Sequence, residues 1–341
     1  DGKNFGNILW AQYALTNSYN ARYYDFYGNK IDGNAFAKLN YILSNKWSLY
    51  GDVQYRHINY KANGVSEGTI DKNFNFFNPK AGLTYSLNRR NNLYFSYARA
   101  HREPNRIDYE GGNPKPEKLN DFELGWRSKY EKIKLNINAY YMRYKDQLVL
   151  TGALNDVGSP LRENVGDSYR LGIEADAAFV LSDKWSIKPN VALSNSKNVD
   201  YHFQRDGILQ NLGNTNIAFS PNIVAANMIA FTPIKALQFN FLSKFVGEQF
   251  MGNLDTENSK LKSYFVNDLN VIFELKTKKV FKSIVFSALI NNIFDYKYSS
   301  NGYYYTYDNI DATSGAITTL DASGYYPQAG INFLAGMTLK F

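Results

Sequence analysis

Apolar and polar residues alternate with a period of two through most of the 341-residue chain, most cleanly at its C-terminal end. There Ile331, Phe333, Ala335, Met337, Leu339 and Phe341 share one face, and Asn332, Leu334, Gly336, Thr338 and Lys340 share the other. Ile133, Leu135, Ile137, Ala139 and Tyr141 alternate in the same way with Lys134, Asn136, Asn138 and Tyr140. So do Trp47, Leu49, Gly51, Val53 and Tyr55 with Ser48, Tyr50, Asp52, Gln54 and Arg56. Helical spacing explains none of these segments, so they are strands with one apolar face.

Read through to the end, the pattern predicts an all-β fold of about fourteen strands, near 5–24, 31–43, 46–60, 74–87, 91–102, 117–130, 132–150, 162–181, 184–199, 215–232, 235–250, 261–276, 282–298 and 325–341. Many exceed the roughly 5 to 6 residues of soluble sheets and are long enough to cross a tilted barrel wall. Tight turns are expected near Ser44–Lys46, Asn88–Asn91, Lys129–Lys132, Ser182–Lys184, Pro233–Lys235 and Thr277–Lys279. Long loops are expected at 61–73, 103–116, 151–161, 200–214, 251–260 and 299–324. Alternating short and long connections fit a transmembrane antiparallel up-and-down β-barrel whose short turns face the periplasm and whose long loops face outside.

Composition supports this without deciding it. The chain has 28 Tyr, 23 Phe, 24 Gly and no Cys. The absence of Cys excludes a disulfide framework and thiol catalysis. No apolar run approaches the roughly 18 to 20 residues of a membrane-spanning helix, so a membrane would be crossed by strands. Asp1–Gly6 shows no secretory signal pattern. The net charge of +7 is dispersed, which argues against nucleic acid as a partner. Acidic residues such as Asp255, Glu257, Asp308, Asp311 and Asp321 lie in the long loops, whereas Lys46, Arg89, Arg90, Lys235, Lys278 and Lys279 lie in the tight turns.

One stretch carries a family likeness. Tyr97-Ala-Arg-Ala-His-Arg-Glu-Pro104, followed by Gly112-Asn-Pro-Lys-Pro-Glu-Lys-Leu-Asn-Asp-Phe-Glu-Leu-Gly125, resembles the TonB-dependent outer-membrane receptors. In that family an Arg-x-Pro element closes a strand and a Lys-Pro-Glu element opens the next, which carries Glu-Leu-Gly. Phe77–Leu83, Asn291–Tyr298, Tyr325–Gly330 and the close at Gly336, Leu339 and Phe341 are similar in order and spacing.

The resemblance implies a barrel of about 22 strands around an N-terminal plug. Residues 1–341 would then be its C-terminal portion, with the plug and early strands missing. It also implies outer-membrane lipid and TonB as partners, the latter through the missing N-terminal region, and an ending read by the barrel assembly machinery. A surface lipoprotein partner is left open. The cargo would be a scarce small-molecule nutrient, preferably a ferric siderophore or other iron complex, with cobalamin, haem or a glycan as alternatives. A passive porin, a structural barrel closed at fourteen strands, a membrane-embedded hydrolase and a surface adhesin compete with this reading.

No catalytic motif, cofactor or metal site is expected. The three histidines, His57, His101 and His202, lack metal-ligand spacing, and no Gly-x-Ser-x-Gly, phosphate loop or dinucleotide fingerprint occurs. Asp52, Glu123, Glu174, Asp176 and Glu274 are expected on the lumen face as wall polar groups. The candidate ligand contacts are loop aromatics, Tyr303, Tyr304, Tyr305 and Tyr307, because rings stack on planar or macrocyclic ligands at little entropic cost. Arg102, Arg106, Asp108 and Tyr109 form a second candidate group. Tyr325, Tyr326 and Trp47 are expected in the interface girdle.

Overall fold

The computed structural model describes residues 2–7, 22–65, 68–154, 160–277 and 280–341. Fourteen wall strands form one antiparallel meander in which each pairs with the next along the chain. They are β1 (Gly2–Asn7), β2 (Arg22–Ile42), β3 (Trp47–Val65), β4 (Gly68–Asn88), β5 (Asn91–Arg102), β6 (Glu117–Lys129) and β7 (Ile133–Lys145). The second half comprises β8 (Asp167–Val180), β9 (Trp185–Asn198), β10 (Ile223–Ile234), β11 (Leu237–Val246), β12 (Tyr264–Lys276), β13 (Ser283–Asn291) and β14 (Asn332–Lys340). No helix among the described residues is long and apolar enough to cross a membrane.

The registers carry the two faces from strand to strand. Leu49 lies opposite Leu83, then Phe95, Leu124, Ala139, Ile173, Leu193 and Ile223 in succession. On the other face Asp52 lies opposite Lys80, then Ala98, Asp121, Met142, Arg170 and Ser196. Because one residue of slip would exchange the faces, this continuity pins the register across the sheet. The apolar face is uncovered by protein, with Leu124 59% and Phe333 78% exposed. Such a surface needs lipid, and a barrel wall supplies every backbone partner except at an open edge.

The lipid face ends in an aromatic row beside the tight turns. Trp47 packs on Tyr85 with centroids 4.4 Å apart, Trp185 stacks on Phe231 at 4.3 Å, and Phe281 meets Phe341 edge-on at 4.9 Å. Just beyond it lie the basic turns carrying Lys46, Arg89 and Arg90. Rings at this level suit the membrane–water boundary.

The long connections differ from the expected loops. At 61–73 there is no loop: β3 and β4 continue as a paired ribbon up to Val65 opposite Gly68. The 299–324 stretch is a hairpin, Ser299–Ile310 with Ile317–Pro327, in keeping with its many Tyr and Thr residues, which favour strands. Tyr325 and Tyr326 therefore belong to this hairpin rather than to the wall, and the last wall strand starts at Asn332 instead of 325. Two more hairpins, Leu148–Leu154 with Pro160–Asn164 and His202–Arg205 with Ile208–Asn211, take up the 151–161 and 200–214 loops. Most of the expected 5–24 strand, and Lys278 and Lys279 of the last tight turn, lie outside the described residues.

Candidate functional site in the loop crown

The long connections pack into a crown with its own core. Val149 of one hairpin, Tyr201 beside the second, Met251, Leu254 and Leu261 of the 251–261 loop, and Tyr304 of the third bury one another. Polar clips hold these pieces in register. Asn253, 2% exposed, accepts from the Ala218 amide at 2.9 Å and from Asn198 Nδ2 at 3.2 Å, and donates to the Leu150 carbonyl at 2.8 Å. One carboxamide thus satisfies two backbone groups and a side chain from three segments, its oxygen accepting twice while its nitrogen donates.

A second clip joins hairpins 202–211 and 299–327. Asp321 Oδ1 accepts from Arg205 Nη2 at 2.9 Å and from the Tyr304 hydroxyl at 2.8 Å. Thr319 donates its amide to Asp206 Oδ1 at 2.7 Å, accepts from the Asp206 amide at 2.8 Å through Oγ1, and donates that hydroxyl to Asp308 at 2.7 Å. Burial, followed by the bond to Asp321, pushes the Tyr304 hydroxyl up to about 12.

Alternation divides the predicted tyrosines. Tyr304 points into the crown core, whereas Tyr303, Tyr305 and Tyr307 form a ring ladder on the opposite face, with centroids 6.2 and 6.1 Å apart. Tyr305 and Tyr307 line a cleft of about 530 Å³ with Glu163, His202, Phe203 and Asp308, built from all three hairpins. That volume falls in the range of roughly 300–1,000 Å³ typical of small-molecule sites. His202, Phe203 and Glu163 were not singled out from sequence, because only tertiary packing brings them to the ladder. A period-two reading of 303–307 would have separated Tyr304 from its neighbours.

The other predicted group is occupied in holding the first connection against the wall. Arg102 binds Glu117 through both carboxylate oxygens at 2.7 and 2.9 Å, and Glu117 also accepts from the Leu148 amide at 2.6 Å. Asn105 and Asp108 form a capping box at the short 3-10 helix Arg106–Gly111. Arg106 lies over the Phe26 ring at 3.9 Å and donates to the Gly64 carbonyl. Tyr109 is 2% exposed against Ala62 and Ile70. These four residues lie apart from the tyrosine cleft.

A smaller cleft of about 410 Å³ lies at the foot of the third hairpin, lined by Lys260, Lys262, Lys297, Tyr296, Tyr298 and Tyr325. Two of its cations are already paired, Lys260 with Glu257 at 2.6 Å and Lys297 with Asp295 at 2.8 Å. The histidines stay apart: Nδ1 of His57 lies 2.8 Å from Asn75 Oδ1, and that of His101 2.8 Å from Asn78 Oδ1. His101 stacks on Phe76 at 5.0 Å. At the C-terminus, Leu339 joins the lipid face, Phe341 follows β14, and Gly336 lies opposite Ser287.

Residues 2–293 match the family model described as TonB dependent receptor-like, beta-barrel. The chain belongs to the TonB-dependent receptor family. It is therefore an outer-membrane β-barrel, of a family of transport receptors rather than enzymes. Among curated relatives, the ferric-pyoverdine 358 receptor of Pseudomonas putida is 25% identical over 126 residues, 36% of this receptor chain and 15% of that protein. The siderophore receptor PiuA of Acinetobacter baumannii is similar in structure, with a TM-score of 0.68, 17% identity and coverage of 92% of this chain and 44% of PiuA. The copper transporter OprC superposes with a TM-score of 0.71 at 17% identity, covering 92% of this chain and 48% of OprC. The receptor chain thus spans under half the length of these solved structures.

Proposed function

We propose that the chain is the C-terminal wall and crown of a TonB-dependent receptor that takes up a scarce metal nutrient, preferably a ferric siderophore or another iron complex. The observation that carries this is the tyrosine-lined cleft at the outer end of a wall belonging to this family. In the reading, the crown captures the chelate and a plug contributed by the rest of the receptor releases it inward. TonB supplies energy from the inner-membrane proton gradient. The pyoverdine-receptor relative supports iron as cargo.

Two features support a larger barrel. Among the described residues β1 and β14 each pair on one side only, and unpaired strand edges are costly in lipid. The chain covers under half of each solved neighbour. The ending with Gly336, Leu339 and Phe341 is proposed as the signal read by the assembly machinery.

The copper transporter among the neighbours makes copper the alternative cargo. Growth of receptor-deleted and complemented cells on ferric chelates as sole iron source tests the proposal. Complementation that restores growth on at least one chelate supports it. Equal growth without the receptor on every chelate, with copper accumulation falling instead, would overturn iron as the cargo.

A further inference from the structure

The chemistry of the tyrosine cleft restricts the charge of what it takes. Among the described residues its acidic side chains are those of Glu163 and Asp308, and no Lys or Arg lines it. The adjacent cation, Arg205, is engaged by Asp321 at 2.9 Å. Thr319 Oγ1 donates to Oδ1 of Asp308 at 2.7 Å, which fixes that carboxylate beside the Tyr305–Tyr307 ladder.

His202 adds an imidazole to the cleft. Its Nδ1 lies 2.7 Å from the Asp200 carbonyl, an acceptor, so Nδ1 donates there and Nε2 is the ring nitrogen turned to other partners. Phe203 and Leu209 supply apolar contact, and Gln204 and Thr151 supply further hydrogen-bonding groups. The cleft therefore offers acceptors and ring faces to donor groups, and repels negative charge. The lysine-bearing cleft at the foot of the third hairpin is separate, and two of its three lysines are paired, with Glu257 and Asp295.

We infer that the cleft between the three hairpins selects uncharged or cationic metal chelates bearing amide and hydroxyl donors, and discriminates against polyanionic ones. For iron this means tris-hydroxamate complexes, which are uncharged, over tris-catecholate complexes, which are triply anionic. The inference rests on the uptake reading above and narrows it to a chemical class. Glu163 is a suitable probe, because it is exposed and its carboxylate makes no hydrogen bond to the described residues.

The test is calorimetric titration of the intact detergent-solubilised receptor with a ferric tris-hydroxamate and a ferric tris-catecholate of similar size, repeated on Glu163→Lys. The wild type is expected to bind the tris-hydroxamate at least about tenfold more tightly, and Glu163→Lys to narrow that ratio by about tenfold. Equal or tighter binding of the tris-catecholate by wild type, or a ratio unmoved by Glu163→Lys, overturns the charge assignment while leaving chelate uptake standing. Binding of neither complex contradicts both this inference and the iron-chelate reading beneath it.

Discussion

The guanidinium of Arg205 lies 2.9 Å from the Asp321 carboxylate, joining two hairpins that are 116 residues apart in the chain. The same oxygen accepts from Tyr304, so one carboxylate orders the ladder strand from behind. Partial burial on both sides makes this pair worth more than an exposed ion pair. Asp321→Ala strips partners from Arg205 and from the buried Tyr304 hydroxyl, at a local cost of about 1–3 kcal/mol. Hydrogen exchange across 299–327 is expected to accelerate on the order of tenfold, with wall strands unchanged. Unchanged exchange in the hairpin would show that the clip does not order it.

Asn253 is the other single point on which the crown depends. Asn253→Ala unpairs the Ala218 amide and the Leu150 carbonyl, for a cost of about 2–4 kcal/mol to crown order. Asn253→Asp keeps the acceptor but sets a carboxylate against the Leu150 carbonyl oxygen 2.8 Å away, and should be no better tolerated. Limited proteolysis of the crown, read beside heat-modifiable migration of the barrel, separates the two levels. Cleavage should rise in both variants while the barrel stays folded.

Alternation gives the tyrosines opposite roles. Tyr305→Ala and Tyr307→Ala should each weaken chelate binding by about 0.5–1.5 kcal/mol, roughly three- to tenfold, without loosening the crown. Tyr304→Phe should loosen the hairpin with a smaller direct effect on affinity. Gly252 packs beneath the Tyr304 ring, so Gly252→Ala should imitate the Tyr304 change by displacing the ring. Titration and hydrogen exchange on the same variants check the division.

Much of this was legible in sequence, for a physical reason. Wall strands obey a period of two because one face meets lipid and the other the lumen, and registers such as Leu49–Leu83–Phe95–Leu124 keep those faces aligned. The crown was not legible. Its hairpins bury one side against each other, so Tyr304 reads as a loop residue until Tyr201 and Met251 are seen to pack with it. Asp108 carries a local signal in the Asn105-x-x-Asp108 capping box, whereas Arg102, Arg106 and Tyr109 show no local sign of the partners they have. Glu117, the Gly64 carbonyl and Ala62 are those partners, all from other segments.

Glu103, just past β5, gives the crown an acid limit. Burial disfavours its ionisation, but Lys30 at 2.5 Å and Arg56 at 3.0 Å outweigh that and hold its carboxyl below the usual value of 4.5. A lowered folded-state value means the stabilisation is complete above about pH 4.5 and is lost as pH falls through the lower folded value. Exchange at Arg106–Gly111 should therefore rise on acidification below pH 4.5, and Glu103→Gln should remove much of that dependence. An identical acid profile in the variant would assign the transition to other carboxylates.

The lipid assignment is tested by charge. Phe95 faces outward at 48% exposure, and its neighbour Ser96 faces the lumen opposite Glu123. In the intact receptor Phe95→Arg should cost about 2–4 kcal/mol of folding into bilayers, and Ser96→Arg far less. Equal costs would contradict the face assignment.

The most direct test of the central claim is uptake of labelled ferric chelates by cells with and without the intact receptor, each with and without a proton-gradient uncoupler. Receptor-dependent uptake that the uncoupler abolishes is the predicted result. Receptor-dependent uptake that survives the uncoupler would contradict an energised transporter and identify a passive pore.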